Sequence, residues 1–312
     1  MKAWLLDEPN KPLRLADVPT PTPGAGQVLV KVHGAGICHS DVAYLAGMFP
    51  FQVPLPTILG HEVSGEVVAL GEGVTGFAPG DRVASAPSAT DGPGISRDGG
   101  FAEFALLTAA KTVPLPDVVS WDQASAATDA GLTSYTGVVV HGGAAAGGRI
   151  GVVGLGGLGM TGARIGVLAG ATVIGVEPRE AMWSIAEGHG VSRVVADVAE
   201  LAGEDLDAVI DFAGFDTTVS GSVRAVKPGG TVVIVGLGGA DTTLSLMELV
   251  SRNVGVRGST PAGDPAHLAA LLNWIASGDL RIEVTKIGFE EIPDGLARLA
   301  RGEVMGRLVA VS

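Results

Sequence analysis

The feature that most constrains the fold is a glycine run between an apolar strand and a helix. Residues 149–153, Arg149-Ile150-Gly151-Val152-Val153, read as a short buried strand. Gly154-Leu155-Gly156-Gly157-Leu158-Gly159 follows, and a helix-like pattern continues to Leu168. This is the spacing G-x-G-x-x-G in the context that gives it meaning. Its glycines allow a tight turn and a close backbone approach, and the helix N-terminus turns unpaired N–H groups toward a pyrophosphate. In a chain with 48 glycines the spacing alone is weak, so the strand before it and the helix after it carry the reading.

A second strand, residues 171–176, ends in Glu177, eighteen residues after Gly159. A carboxylate there accepts hydrogen bonds from the adenosine ribose and repels a 2′-phosphate, so NAD is expected over NADP. Arg179 argues the other way, since a guanidinium could hold that phosphate. Strand patterns recur at 191–196, 206–212, 231–235 and 253–257, with Lys227-Pro228-Gly229-Gly230 as the turn before the fifth. Helix-length segments between them predict an α/β, Rossmann-type, doubly wound sheet of six parallel strands over residues 130–259. The expected cofactor-binding set is Gly154, Gly156, Gly157, Leu158, Gly159, Glu177 and Arg179, completed by Val235 and Leu237 at the end of the fifth strand.

The first 129 residues carry a different signal. Residues 27–33 and 62–70 alternate as half-buried strands; shorter ones are expected near 76–83 and 101–105, all punctuated by Gly and Pro. That pattern predicts a β-rich, barrel-like domain rather than βαβ repeats. After residue 260 come a helical stretch (266–276), an extended one (282–287) and a closing strand (308–311), which are expected to rejoin the first domain. The domains are therefore expected at 1–129 with 260–312, and at 130–259.

The first domain holds Cys38, the only cysteine, so no disulfide forms within the chain. It stands in Gly36-Ile37-Cys38-His39-Ser40-Asp41, upstream of Gly60-His61-Glu62. Thiolate and imidazole are the usual ligands of zinc, and a catalytic zinc takes three protein ligands and leaves a position open. Asp129, in an otherwise small and apolar stretch, is a candidate third ligand, because a buried carboxylate needs a partner; a helix cap or an exposed turn is the alternative on local grounds. His33 is expected to be structural, and His141, His189 and His267 lie in contexts without ligand spacing.

Composition narrows the function. A net charge of −13 leaves no basic stripe for nucleic acid. The mean hydropathy is +0.40, yet no uninterrupted apolar run of about 18 residues exists to span a membrane. The start has too short an apolar core for a signal peptide, and one cysteine fits a reducing compartment, so a cytoplasmic protein is expected.

Taken together, Gly36–Asp41, Gly60-His61-Glu62, Gly80-Asp81-Arg82-Val83, Ala130-Gly131-Leu132-Thr133 and the Gly154–Gly159 turn resemble, in order and over nearly the whole chain, the zinc-dependent medium-chain dehydrogenase/reductases, the alcohol dehydrogenase family. The resemblance implies a GroES-like catalytic domain and a metal site of Cys38, His61 and Asp129, the last taking a place usually held by Cys. It implies Ser40 as the hydroxyl that bonds the substrate oxygen and passes its proton. Asp41 would orient the ligand imidazole, Glu62 would lie behind the metal, and His39 would lie near the pyrophosphate. Phe49, Ala86 and Pro87 line the substrate pocket by the same analogy, and suggest an uncharged alcohol, aldehyde or ketone. A homo-oligomer, dimer or tetramer, is implied as well.

Two departures stand out. Residues 84–100 form a short loop where many members carry four cysteines around a structural zinc, so one catalytic zinc per chain is expected; Asp91 and Asp98 there read as ordinary turn residues. Ala43 stands where some members place a relay histidine. The implied reaction is reversible hydride transfer between an alcohol carbon and nicotinamide, assisted by zinc as Lewis acid. A zinc-retaining imine or conjugated C=C reductase is the alternative within the fold, and a non-catalytic dinucleotide sensor the remote one.

Overall fold

The computed structural model describes residues 1–48 and 54–312, which divide into two compact units, Met1–Leu132 with Pro261–Ser312 and Thr133–Thr260. Phe49 lies outside the described residues.

In the first unit the strand Gln27–Ile37 is long enough to be shared. It pairs antiparallel with Glu62–Leu70, Phe104–Thr108 and Arg307–Val311. The main sheet runs in the order Val284–Ile287, Arg307–Val311, Gln27–Ile37, Glu62–Leu70, Arg82–Ser85, Thr112–Pro114. Beneath it Leu6, Ile37, Ile58, Phe101 and Leu107 are fully buried. At roughly 1.5–3 kcal/mol for each large apolar side chain, this core holds the unit together. Val309, Gly36 and Glu62 share one row of the sheet, which carries the end of the chain to the neighbourhood of Cys38.

Four short strands escape the alternation signal, Thr112–Pro114 in the main sheet and three others. Lys2–Leu6 lies between Arg14–Asp17 and Thr57–Ile58 in a small second sheet. The strand expected at 101–105 begins three residues later, at Phe104. The reason is competition: Gly99, Gly100 and Phe101 donate their N–H groups to the carbonyls of Ile58, Gly60 and Leu59 instead.

The second unit is the expected six-stranded parallel sheet, in the order Arg193–Val195, Thr172–Val176, Arg149–Val153, Leu206–Asp211, Val226–Ile234, Gly255–Gly258. The strand order reverses at Arg149–Val153, and the crevice at the carboxyl ends beside such a point is where ligands bind in this architecture. Residues 227–230 differ from expectation. Leu206 pairs Val226 and Ala208 pairs Thr231, so the Lys-Pro-Gly-Gly run is absorbed as a bulge inside one strand rather than preceding it. Lys227 holds it by an ion pair of 2.5 Å to Asp207. Among the described residues no helix is long and apolar enough to cross a membrane.

Candidate functional site

Cys38 caps the helix His39–Leu45, and the helix returns the contact: the Asp41 carboxylate accepts from the Cys38 N–H through Oδ2 at 2.9 Å. Its other oxygen faces Gly60 N and His61 Nδ1, both at 3.3 Å. One fully buried carboxylate thereby links the segments that carry Cys38 and His61. With Nδ1 turned to Asp41, the other ring nitrogen is left for a metal, the usual arrangement of a ligating histidine.

Asp129 stands neither on a cap nor in an exposed turn. It lies in a π-helical segment, Ala127–Gly131, and its side chain is 14% exposed. Such bulges turn a side chain off the regular helical course and occur often at functional sites. Here Asp129 Oδ2 comes to 3.3 Å from Cys38 Sγ and 3.7 Å from His61 Nε2. One potential ligand atom from each of Cys38, His61, Glu62 and Asp129 lies within 4.8 Å of the others. Four-coordinate zinc with bonds of 2.0–2.3 Å has ligand–ligand edges of about 3.3–3.7 Å, so the set has the dimensions of such a site. Ser40 Oγ is 3.7 Å from Cys38 Sγ.

Sequence reasoning missed Arg307. It heads the strand Arg307–Val311, is 5% exposed, contacts Glu62 Oε1 at 2.6 Å and pairs with Asp129. Burial opposes its charge, but Glu62, Cys38 and the two aspartates outweigh that and raise its pKa. Burial pushes the Glu62 carboxyl up to about 8, with Arg307 acting against it. At Asp129 burial is overcome by the Arg307 charge and the His61 bond, and the carboxyl is held far below its usual range. Burial, then the Asp129 charge, raises the Cys38 thiol. The His61 ring loses charge to burial but regains more from Asp41, Asp129 and Cys38, so its pKa stands well above normal. Three carboxylates and a thiol thus share one guanidinium and one imidazole. Burial favours the protonated thiol and the protonated Glu62 carboxyl, and a dication, which would take the place of such protons among these donors, fits the set.

Gly36 is required by the same packing, since a Cβ there would come within 2.0 Å of Glu62 Oε2. His39 is exposed at the first turn of its helix, and Ala86 and Pro87 are buried. His33 stacks on Trp121 with ring centroids 5.0 Å apart.

In the second unit Gly154 has φ +83°, and a Cβ on Gly159 would meet Gly154 O at 1.8 Å, so the turn is closed to larger residues at both positions. Gly156 caps the twelve-residue helix Gly157–Leu168, with open space where a Cβ would stand. Val235 follows the strand Val226–Ile234 and is half-buried, while Leu237 is 81% exposed. Glu177 sits as expected after Thr172–Val176, but it is 2% exposed and its carboxylate is engaged. Leu155 N donates to Oε2 at 3.0 Å; Arg179 donates its backbone N–H and Nε to Oε1 at 3.0 and 2.7 Å and its Nη2 to Oε2 at 3.0 Å. A carboxylate offers about four accepting positions, so Arg179 must loosen before a ribose can share it.

Residues 24–117 match the family described as "Alcohol dehydrogenase GroES-like domain", and residues 154–277 the one described as "Zinc-binding dehydrogenase". An alcohol dehydrogenase of Geobacillus stearothermophilus is 30% identical, with 99% of this chain and 98% of that protein aligned. An NAD-dependent alcohol dehydrogenase of Sulfurisphaera tokodaii is 31% identical over the full length of both. Among solved structures, the alcohol dehydrogenase of Aeropyrum pernix superposes with a TM-score of 0.89 at 32% identity, covering all of both chains. The acetophenone reductase of Geotrichum candidum in complex with NAD superposes at 0.88 and 28% identity, covering 100% of this chain and 97% of that one. By motif order, by both folds and by these likenesses, the chain belongs to the zinc-type medium-chain dehydrogenase/reductases, the alcohol dehydrogenase family.

Proposed function

We infer that this chain is a dinucleotide-dependent oxidoreductase interconverting alcohols with aldehydes or ketones, using one zinc at Cys38, His61 and Asp129 and NAD in preference to NADP. The observation that carries the reading is the packing of these three donors around one point, with Asp41 behind the imidazole and a hydroxyl beside the thiol. When bound, zinc supplies Lewis-acid polarisation of the substrate oxygen, and nicotinamide supplies or accepts the hydride. Asp41 fixes the His61 tautomer. The Ser40 hydroxyl donates its proton to the carbonyl oxygen on reduction and takes one from the alcohol on oxidation. Arg307 holds Glu62 and Asp129 in place and offsets their charge. With Ala43 in place of a relay histidine, the proton leaves Ser40 through water or the cofactor ribose. The turn Gly154–Gly159 cradles the pyrophosphate, and Glu177 serves the ribose after exchanging its bonds with Arg179. The sole cysteine supports a single zinc and a reducing compartment, the cytoplasm. The edge strand Gly255–Gly258 and the exposed Leu246, Met247 and Val250 before it support a homo-oligomer.

The test combines metal analysis with a panel of alcohols, aldehydes and ketones assayed with NAD(H) and NADP(H) in parallel. One zinc per chain, with turnover of an uncharged carbonyl that is lost on chelation and restored by zinc, is the expected result. A zinc-loaded protein that turns over no member of the panel with either cofactor overturns the reading.

A further inference from the structure

The short loop that stands in place of a structural-zinc lobe is not plain turn. Arg97 pairs with Asp91 and donates to Thr108 Oγ1 at 2.8 Å; Lys111 donates to Ser88 Oγ at 2.9 Å and lies 3.8 Å from Asp91. Asp91, Arg97 and Lys111 side chains are only 20–29% exposed, so this cluster ties the loop to the strand Phe104–Thr108 and to the segment after it. Beyond Arg97 the chain turns to the segment that delivers His61. Asp98 Oδ1 accepts from Ile58 N at 2.9 Å and from Thr57 Oγ1 at 3.3 Å. Gly99, Gly100 and Phe101 then donate to the carbonyls of Ile58, Gly60 and Leu59 at 2.8, 2.7 and 3.0 Å.

The contact leaves no slack. Gly60 has φ +95°, and a Cβ on it would meet Phe101 at 2.5 Å. A Cβ on Gly94 or Gly99 would strike the Gly60 backbone at 2.8 or 2.5 Å. Residues 57–60 are therefore held by the loop on one side, while Asp41 holds Gly60 N and His61 Nδ1 on the other. A ligand that is already in place need not be ordered when the metal arrives, so its entropy is not lost from the binding free energy.

We propose that residues 91–101 form a clamp that presets His61 for the metal, with Arg97 and Asp98 as its positioning residues. The proposal rests on the zinc reading above and goes beyond it: the loop does without a second metal, and fixes the first one's ligand through side-chain ions and backbone hydrogen bonds.

The experiment measures zinc affinity of the full chain by competition with a chromogenic chelator, and the visible bands of the cobalt-substituted protein, for the wild type, Asp98→Ala, Asp98→Asn and Arg97→Ala. Thermal melting of the zinc-free proteins is recorded alongside. Asp98→Ala and Arg97→Ala are expected to weaken zinc by about tenfold, the lower end for residues acting through a ligand, and to shift the cobalt bands. Asp98→Asn keeps an oxygen acceptor and should stay near the wild type. Asp98 is exposed, so its truncation opens no cavity and decides the matter alone if Arg97→Ala does not fold. Lower melting temperatures with unchanged zinc affinity and cobalt bands overturn the clamp, leaving a merely structural loop. A wild type that binds no zinc overturns the metal reading and the clamp with it; zinc bound by the wild type and held as tightly by Asp98→Ala overturns the clamp alone.

Discussion

Three carboxylates and a thiol crowd around Arg307, and this charge balance governs what substitutions there will do. Removing the guanidinium leaves the Asp129 carboxylate without its Arg307 partner and Glu62 without its donor, a change that costs about 3–5 kcal/mol in comparable buried pairs. Arg307→Met should therefore destabilise the zinc-free protein by that order in denaturant unfolding, and added zinc should recover part of the loss. An unfolding midpoint equal to the wild type's would show that the pairs contribute nothing. Cys38→Ala and Asp129→Ala should abolish stoichiometric zinc and turnover while dinucleotide binding survives; zinc and activity retained in Asp129→Ala would falsify its place in the metal site. If Glu177 serves the ribose as proposed, its pairing with Arg179 would have the acidic residue meet the cofactor partly neutralised. Arg179→Ala should sharpen the preference for NAD and Glu177→Ala should admit NADP, read as the ratio of kcat/KM for the two cofactors; ratios unmoved in both would remove the pair from specificity. Cys38 and His61 were legible as chemistry from their types and setting, and Asp129 from its place before Ala130-Gly131-Leu132-Thr133. Arg307 was not. It lies 178 residues from Asp129 and 245 from Glu62, and the sheet register Val309–Gly36–Glu62 carries its strand to the latter.

Elements were legible in the sequence in proportion to how far local pattern decides them. The six parallel strands carry short apolar runs, and the structure has all six, with Lys227-Pro228-Gly229-Gly230 taken into the fifth. Lys2–Leu6, Arg14–Asp17 and Thr57–Ile58 owe their form to one another, and a strand of two to five residues made by its partners leaves little alternation to read. The π-helical turn at Ala127–Gly131 and the clasp at Asp91 are likewise tertiary effects. At Asp91 burial raises the carboxyl, but the hydrogen bond and charge of Arg97, with Thr108 and Lys111, outweigh it and hold the pKa below normal. A depressed carboxyl contributes stability that is present above its unfolded pKa, about 3.9, and is lost as pH falls through the lower folded value. The stability difference between wild type and Arg97→Ala should therefore be full near pH 6 and shrink as pH falls below about 4. A difference in denaturant midpoint that stays constant from pH 6 to pH 3 would remove the ion pair as its source.

On the scale of the whole molecule, one of the two open sheet edges of the second unit is accompanied in sequence by a helix with exposed apolar residues. Gly255–Gly258 pairs only with Val226–Ile234, and the helix Leu246–Arg252 just before it presents Leu246, Met247 and Val250 at 76%, 76% and 79% exposure. Scattered exposed apolar residues need no explanation, but three on one seven-residue helix beside an open strand edge form a patch of the kind that marks an interface. A second copy of the chain can meet the same patch about a two-fold axis, because such an interface is self-complementary. The chain is thus expected to sediment as a dimer or larger assembly of its 31.3 kDa protomer. Charges placed in the patch by the double substitution Leu246→Glu, Val250→Glu should shift it to the protomer mass, with zinc content unchanged because the proposed ligands Cys38, His61 and Asp129 all lie in the other unit. A wild type that sediments as a monomer at micromolar concentration, or a double variant that keeps the wild-type mass, would place the interface elsewhere.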